Sequence, residues 1–413
     1  MTILNFKKHL PILENFVSYF LFKAIDAVIP LIVITYLIDV VGLNNYGYYA
    51  FAYALIFYLQ NIIQFGFDLS AVRSIALLRD DKQKLSKVYN DVFSAQIVFF
   101  VLVTIFLLSL VLFVPRIYDH YIIYCFFFIL LVGELLFPMW FFLGVERMKF
   151  MTIISVISKS TFAILCFLLI KHESDYIYIS LYHSVGFLFA GIIAQIIIRK
   201  TFGIKFRFSK VQDIKATIIE AWSAFLTMVS PTIYHNTSIF LVGVYGIPSF
   251  VSVMEIGAKV LGAFKVVITI MSNVLFPFLN RNKSYLPKVR LVFVTIGFTL
   301  SLVMFFSSEI LMHLWLGDDA VEVIRVVKFL SPGPLLSSII SAYGINGLMI
   351  MKKDKLYSKI IVIGSVIGLM VGLIFIPKYY YIGGAIAIIS ATSVKAIFSC
   401  FYSVKTIKQL QNR

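Results

Sequence analysis

Long apolar runs separated by short polar breaks fill the chain. Twelve runs can be read, at 13–41, 46–70, 89–113, 120–145, 152–170, 177–198, 216–243, 248–277, 289–313, 322–350, 357–376 and 382–404. A helix of about 20 apolar residues, rising 1.5 Å per residue, crosses a hydrocarbon core of about 30 Å. The pattern therefore predicts an all-α polytopic membrane protein with 12 transmembrane helices. The run from Ile12 to Val41 is too long for a signal-peptide core and lacks a small-residue cleavage site, so it is expected to stay as the first span. Pro30 lies deep in span 1 and Pro231 deep in span 7. The match fits a transporter built from two repeats, with chance as the competing account. Ser331-Pro332-Gly333-Pro334 predicts a break in span 10.

Composition agrees with the pattern. The chain has 413 residues, 61% of them hydrophobic and 14% charged, and a mean hydropathy of +0.96. Soluble domains carry about 25% charged residues. Cys125, Cys166 and Cys400 all sit in apolar runs without metal-ligand spacing, which points to packed thiols and to no metal site. The six histidines show no ligand spacing either, and no GxxxxGK[ST] loop is present, so no cofactor is expected.

A net charge of +16 would fit nucleic acid if it were clustered on one surface. Instead, 26 of the 36 lysines and arginines fall at the N-terminus, in every second loop and in the tail, and only Arg116, Lys171 and Lys378 fall on the other side. That asymmetry is the positive-inside signature. It places both termini in the cytoplasm, assigns the basic loops to topology and to contact with membrane lipids, and leaves no role for nucleic acid. The longest basic loop, Arg199–Lys215, is read as the link between an N-terminal six-helix lobe at 1–205 and a C-terminal one at 206–413.

Arg290 and Lys359, in the first turn of spans 9 and 11, are counted with the adjoining loops, and the other seven basic residues lie deeper inside predicted spans: Lys23, Lys159, Lys259, Lys265, Arg325, Lys328 and Lys395. Each costs about 2.5–3.5 kcal/mol at mid-membrane unless it is paired or faces water. Lys23 with Asp26, Glu255 with Lys259, and Glu322 with Arg325 have pairing intervals. Lys159 and Lys395 are expected to snorkel to the interface. Lys23, Lys259, Lys265, Arg325 and Lys328 are the candidates for a cationic cavity, which suits a phosphate-bearing substrate. Asp26, Glu134 and Glu255 are the candidates for ion coupling. A proton or sodium gradient is the candidate drive. Tyrosine runs at Tyr46–Tyr49 and Tyr379–Tyr381 are expected in the interfacial aromatic belt, with sugar stacking as the alternative.

Phe65-Gly66-Phe67-Asp68-Leu69-Ser70-Ala71-Val72-Arg73, followed by Asp80-Asp81-Lys82, resembles the end of the second span of O-antigen flippases. Those proteins form part of the polysaccharide-transporter branch of the multidrug/oligosaccharidyl-lipid/polysaccharide exporter superfamily. Trp140-Phe141-Phe142-Leu143-Gly144-Val145-Glu146-Arg147-Met148-Lys149 is similar to that family's segment after span 4, and Phe276-Pro277 and Ile376-Pro377 with Gly383-Gly384-Ala385 also fit. Two positions depart from its pattern: Asp39 stands where a basic residue is common, and Lys395 where an acid is common.

The resemblance implies transfer of undecaprenyl-pyrophosphate-linked oligosaccharide to the outer leaflet of a bacterial inner membrane. The transfer would use a cationic cavity enclosed by two six-helix lobes, with the O-antigen polymerase and chain-length regulator as candidate partners. The alternatives are an ion-coupled multidrug exporter of the same fold and a flippase for another lipid-linked glycan precursor. The net basic spans disfavour a cation exporter. A polymerase or ligase enzyme is disfavoured by short outer loops and by the lack of a nucleophile with an acid/base pair.

Overall fold

The computed structural model describes the backbone of residues 3–411 and their side chains, except those of residues 3–24, 26–27, 227, 229–235, 318, 408 and 410–411. Among the described residues there is no strand, and nine helices are long and apolar enough to cross a membrane. The chain is a multi-pass membrane protein. Its contacts divide it into two units, Met1–Val41 with Ala52–Val229, and Gly42–Phe51 with Ser230–Arg413.

The first unit begins with α1 (Ile3–Gln64), which contains Pro30. At Gly42 the backbone takes φ 77 and ψ 160, so α1 is two helices in series. An added Cβ there would meet nothing within 4 Å, so the backbone angle alone calls for glycine. At Phe65-Gly66 both residues have positive φ, and the chain turns into α2 (Phe67–Leu78). Phe65 is held in that uncommon conformation by stacking on Phe99 and Phe225, with ring centroids at 4.3 and 4.4 Å.

Asp81 caps α3 (Lys82–Phe113), its carboxylate accepting from the backbone N–H groups of Gln83 and Lys84 at 3.1 Å. The Lys84 N–H holds the Asp81 carboxyl below the ordinary aspartate range. The cap's contribution is therefore complete above that range and is lost as pH falls through the lower folded-state value. The expected result is faster amide exchange at Gln83 and Lys84 in acid, beyond the intrinsic change, and at neutral pH in Asp81→Ala. Unchanged exchange in that variant would remove Asp81 as the cap.

Helix α4 (Tyr121–Leu136) stops just ahead of Pro138, and its orphan Leu136 carbonyl accepts from Gln195 Nε2 at 2.8 Å. After the short α5 (Met139–Gly144) and α6 (Met148–Leu169), α7 (Tyr176–Ile197) lies close along α4. A Cβ on Gly133 would sit 2.5 Å from the Phe187 backbone carbonyl carbon, and one on Gly191 would sit 2.6 Å from the Gly133 oxygen. Small residues allow this approach, as in other membrane helix pairs. The basic loop then turns through a π-helical segment, Ile198–Phe202, and runs extended to residue 210. It is fastened to α3: the N–H groups of Arg207 and Ser209 donate to Asn90 and Ser94, and Lys87 meets Asp213 at 3.4 Å.

The second unit takes in the segment Gly42–Phe51 and the end of α8 (Val211–Tyr245). Its framework is α9 (Pro248–Arg281), α10 (Leu286–Leu316), α11 (Ala320–Leu330), α12 (Gly333–Ile339), a π-helical segment at Ile340–Met349, and α13 (Asp354–Gln411). The expected break at Ser331–Pro334 separates α11 from α12. Helix α13 is two helices joined at Tyr380, where φ is 47 and ψ is −120. Gly257 on α9 admits the Val326 side chain of α11, with a would-be Cβ 2.4 Å from it.

Candidate functional site

Charge enters the interior of the second unit on α9. Glu255 is 5% exposed and pairs with Lys259 at 2.6 Å, as the i,i+4 interval predicted. The fully buried Tyr46 donates its hydroxyl to the same Oε1 at 3.3 Å, while Glu255 Oε2 is buried without a hydrogen bond. The Lys259 side chain keeps 29% of its surface accessible. Glu255 is thus committed to a cation and a phenol, an arrangement that anchors Lys259.

Lys265, one and a half turns further on, is half-buried and makes no ion pair among the described residues. Lys395 on α13 lies within electrostatic reach of it. Lys395 does not snorkel as expected: it is 3% exposed. The reason is Gly364 on the first half of α13, whose missing side chain makes room for the lysine stem; a Cβ there would lie 2.4 Å from Lys395 Cγ. Two basic side chains within electrostatic reach of each other in an apolar interior favour an anion nearby.

Arg325 and Lys328 do not join that pair. Val323, Val326 and Val327 form the buried face of α11, Arg325 is exposed, and Lys328 pairs with Glu309 on α10 over the Phe305 ring, 5.5 Å from its centroid. Among the described residues the expected Glu322–Arg325 pair is absent. Arg290, read as a loop charge, is instead buried within α10, where it donates to Ser403 Oγ at 2.9 Å and lies 4.7 Å from the Tyr343 ring centroid. Its burial could have been suspected from the apolar run that starts beside it.

In the first unit, Glu134 on α4 is half-buried and accepts on both oxygens. Gln64 Nε2 reaches Oε1 at 2.7 Å and Gln60 Nε2 reaches Oε2 at 3.1 Å. Gln96 on α3 donates to Gln64 Oε1, and the Trp140 indole donates to Gln96 Oε1, both at 3.1 Å. Three glutamines at 60, 64 and 96 inside apolar runs were the signal that charge-based reading passed over. The expected Lys23–Asp26 pair lies outside the described residues.

The histidine, tyrosine and cysteine positions read from the sequence divide between packed and exposed. His183 is ringed by Phe162, Tyr53, Phe187 and Phe127, at centroid distances of 4.7, 5.0, 5.4 and 6.3 Å. Tyr46, Tyr49 and Tyr381 are buried, contrary to the aromatic-belt expectation; Tyr381 meets the Phe250 ring edge to face at 5.0 Å. Tyr379 and Tyr380 are exposed. All three cysteines are free, and Cys125 is exposed rather than packed inside. No metal-holding cluster exists among the described residues.

The two motifs that carried the family resemblance meet each other. Gly144 packs against Ile75, with a would-be Cβ 2.6 Å from the Ile75 side chain, and Arg79 pairs with Glu146 at 2.5 Å. They form a clasp holding α2 against α5.

The sequence matches the family described as Polysaccharide biosynthesis protein over residues 12–283. It is 26% identical over 370 residues to a candidate O-antigen transporter of Escherichia coli (strain K12), covering 88% of this chain and 89% of that one. It is 25% identical over 405 residues to a candidate O-antigen transporter of Shigella dysenteriae, covering 96% and 100%. The fold resembles that of the lipid II flippase MurJ in an inward closed conformation, with a TM-score of 0.71 at 17% identity over 96% of this chain and 87% of that one. It also resembles an inward-facing multidrug resistance MATE family transporter of the MOP superfamily, with a TM-score of 0.68 at 13% identity over 94% and 96%.

Proposed function

The chain belongs to the polysaccharide biosynthesis protein family, and we propose that it is a flippase for undecaprenyl-pyrophosphate-linked O-antigen repeat units. It moves them from the cytoplasmic to the periplasmic leaflet of a bacterial inner membrane, by alternating access through a cationic cavity. The observation that carries this reading is the placement of Lys395, buried in the second unit where Gly364 makes room for its stem and within electrostatic reach of Lys265, so that a phosphate-rich head group would relieve both charges. Lys259, oriented by Glu255 and Tyr46 and still accessible, is the third contributor. The names of the two bacterial relatives support the glycan class.

The chain crosses the membrane twelve times with both termini in the cytoplasm. The breaks at Gly42 and Tyr380 each divide a helix into two crossings, and Val211–Tyr245 supplies another. The O-antigen polymerase and chain-length regulator are the proposed partners downstream.

The test is deletion of the gene in its own host, with mass spectrometry of undecaprenyl-linked oligosaccharide. A flippase predicts loss of surface polysaccharide and accumulation of single lipid-linked repeat units. Unchanged polysaccharide with altered drug tolerance would overturn this reading in favour of the exporter, and another depleted surface glycan would reassign the substrate.

A further inference from the structure

The hydrogen bonds around Glu134 have one direction. An indole N–H can only donate, so Trp140 obliges Gln96 to present its oxygen. Gln96 must then offer its NH₂ to Gln64, whose oxygen accepts, and Gln64 is left to offer its own NH₂ to Glu134 Oε1. The amide orientations follow from the indole at the end of the chain, and Oε1 is locked as an acceptor. Oε2 differs. Its donor, Gln60, makes no second side-chain hydrogen bond among the described residues, so its amide can rotate and present the oxygen instead.

We propose that Glu134 is a single-proton binding site in which Oε2 takes the proton, Gln60 rotates to accept it, and the Trp140–Gln96–Gln64 relay holds Oε1 fixed. The step balances with solvent alone: a hydronium ion gives its proton to the carboxylate and leaves as water, and the new O–H donates to the Gln60 oxygen in place of the N–H that Oε2 had accepted.

The same geometry disfavours a metal cation. Hard cations collect oxygen ligands, six or more for calcium and magnesium. Here Oε1 faces an N–H that cannot be turned away without stranding Gln96 and the indole.

The charged and titratable groups on the surrounding helices are few. Asp68 on α2 is the acid whose field reaches Glu134. His183 on α7 sits against Phe127, two turns before Glu134, inside its ring of aromatics. Tyr89 on α3 is engaged with Gln195 at 2.7 Å, and Arg116 and His120 lie beyond the start of α4. Helix α1 contributes the two neutral glutamines. As the site of a coupling ion this proposal rests on the transporter reading; as a site of protonation it needs no substrate.

Trp140 supplies the readout. In full-length protein carrying Trp222→Phe and Trp315→Phe, in nanodiscs, Trp140 is the remaining tryptophan. Its emission is expected to follow a one-proton titration, together with a protonated-carboxyl infrared band at low pH. Glu134→Gln should abolish both. Gln96→Leu should uncouple the emission while the infrared band remains, which guards against a Glu134 variant that merely misfolds. Exchanging choline chloride for sodium chloride at fixed pH should change neither signal. No Glu134-dependent infrared band in folded protein, or a sodium response that replaces the proton response, would overturn the assignment. Because no glycan is added, that failure is distinct from a failure of the flippase reading.

Discussion

Lys259→Met is expected to destabilise the protein by about 3–5 kcal/mol, the cost of breaking a buried ion pair from one side. The loss arises because Glu255 is nearly inaccessible and would keep only the Tyr46 hydroxyl. Glu255→Gln should cost less, because Lys259 retains access to water and can turn toward it. Joining the two changes should recover part of the loss, since no charge is then left buried alone. Equilibrium unfolding of the three variants in the same detergent or bilayer measures this. Equal losses for the two single changes, with simple addition in the double, would mean that the pair contributes no coupling.

Lys265→Glu separates function from stability. It replaces a like-charge approach to Lys395 with an opposite-charge one, so the protein should fold and melt at least as well as the parent. The same change removes one phosphate-binding ammonium and neutralises the other. Surface polysaccharide in a complemented deletion strain should therefore fall to the level of the deletion, at normal protein abundance. Full complementation by Lys265→Glu would remove this lysine pair from the transport path.

The all-helical, membrane-spanning character was legible in the sequence because spans are written in long apolar runs; the gap between the first two runs contains the break at Gly42, and Ser331–Pro334 marked the one between α11 and α12. The Glu255–Lys259 pair was legible because helix spacing fixes which side chains can meet. What the sequence hid depends on neighbours distant in the chain. Gly364 turns Lys395 inward, Ser403 and Tyr343 receive Arg290, and Glu309 draws Lys328 away from the other lysines. Counting charges also passed over glutamine, and so missed that Glu134 ends a relay begun by an indole on another helix. The two family motifs, read by their wording alone, proved to be the two sides of one packing contact between α2 and α5.

The most direct measurement of the central claim is reconstitution of the purified protein into liposomes holding an undecaprenyl-pyrophosphate-linked oligosaccharide in the inner leaflet. Arrival of the glycan at the outer leaflet is followed by its accessibility to an added glycosidase. The account predicts transfer that depends on the protein, is lost in Lys265→Glu, and is absent for a neutral lipid-linked sugar lacking the pyrophosphate. Transfer no faster than in protein-free liposomes, or equal transfer of the neutral lipid, would contradict it.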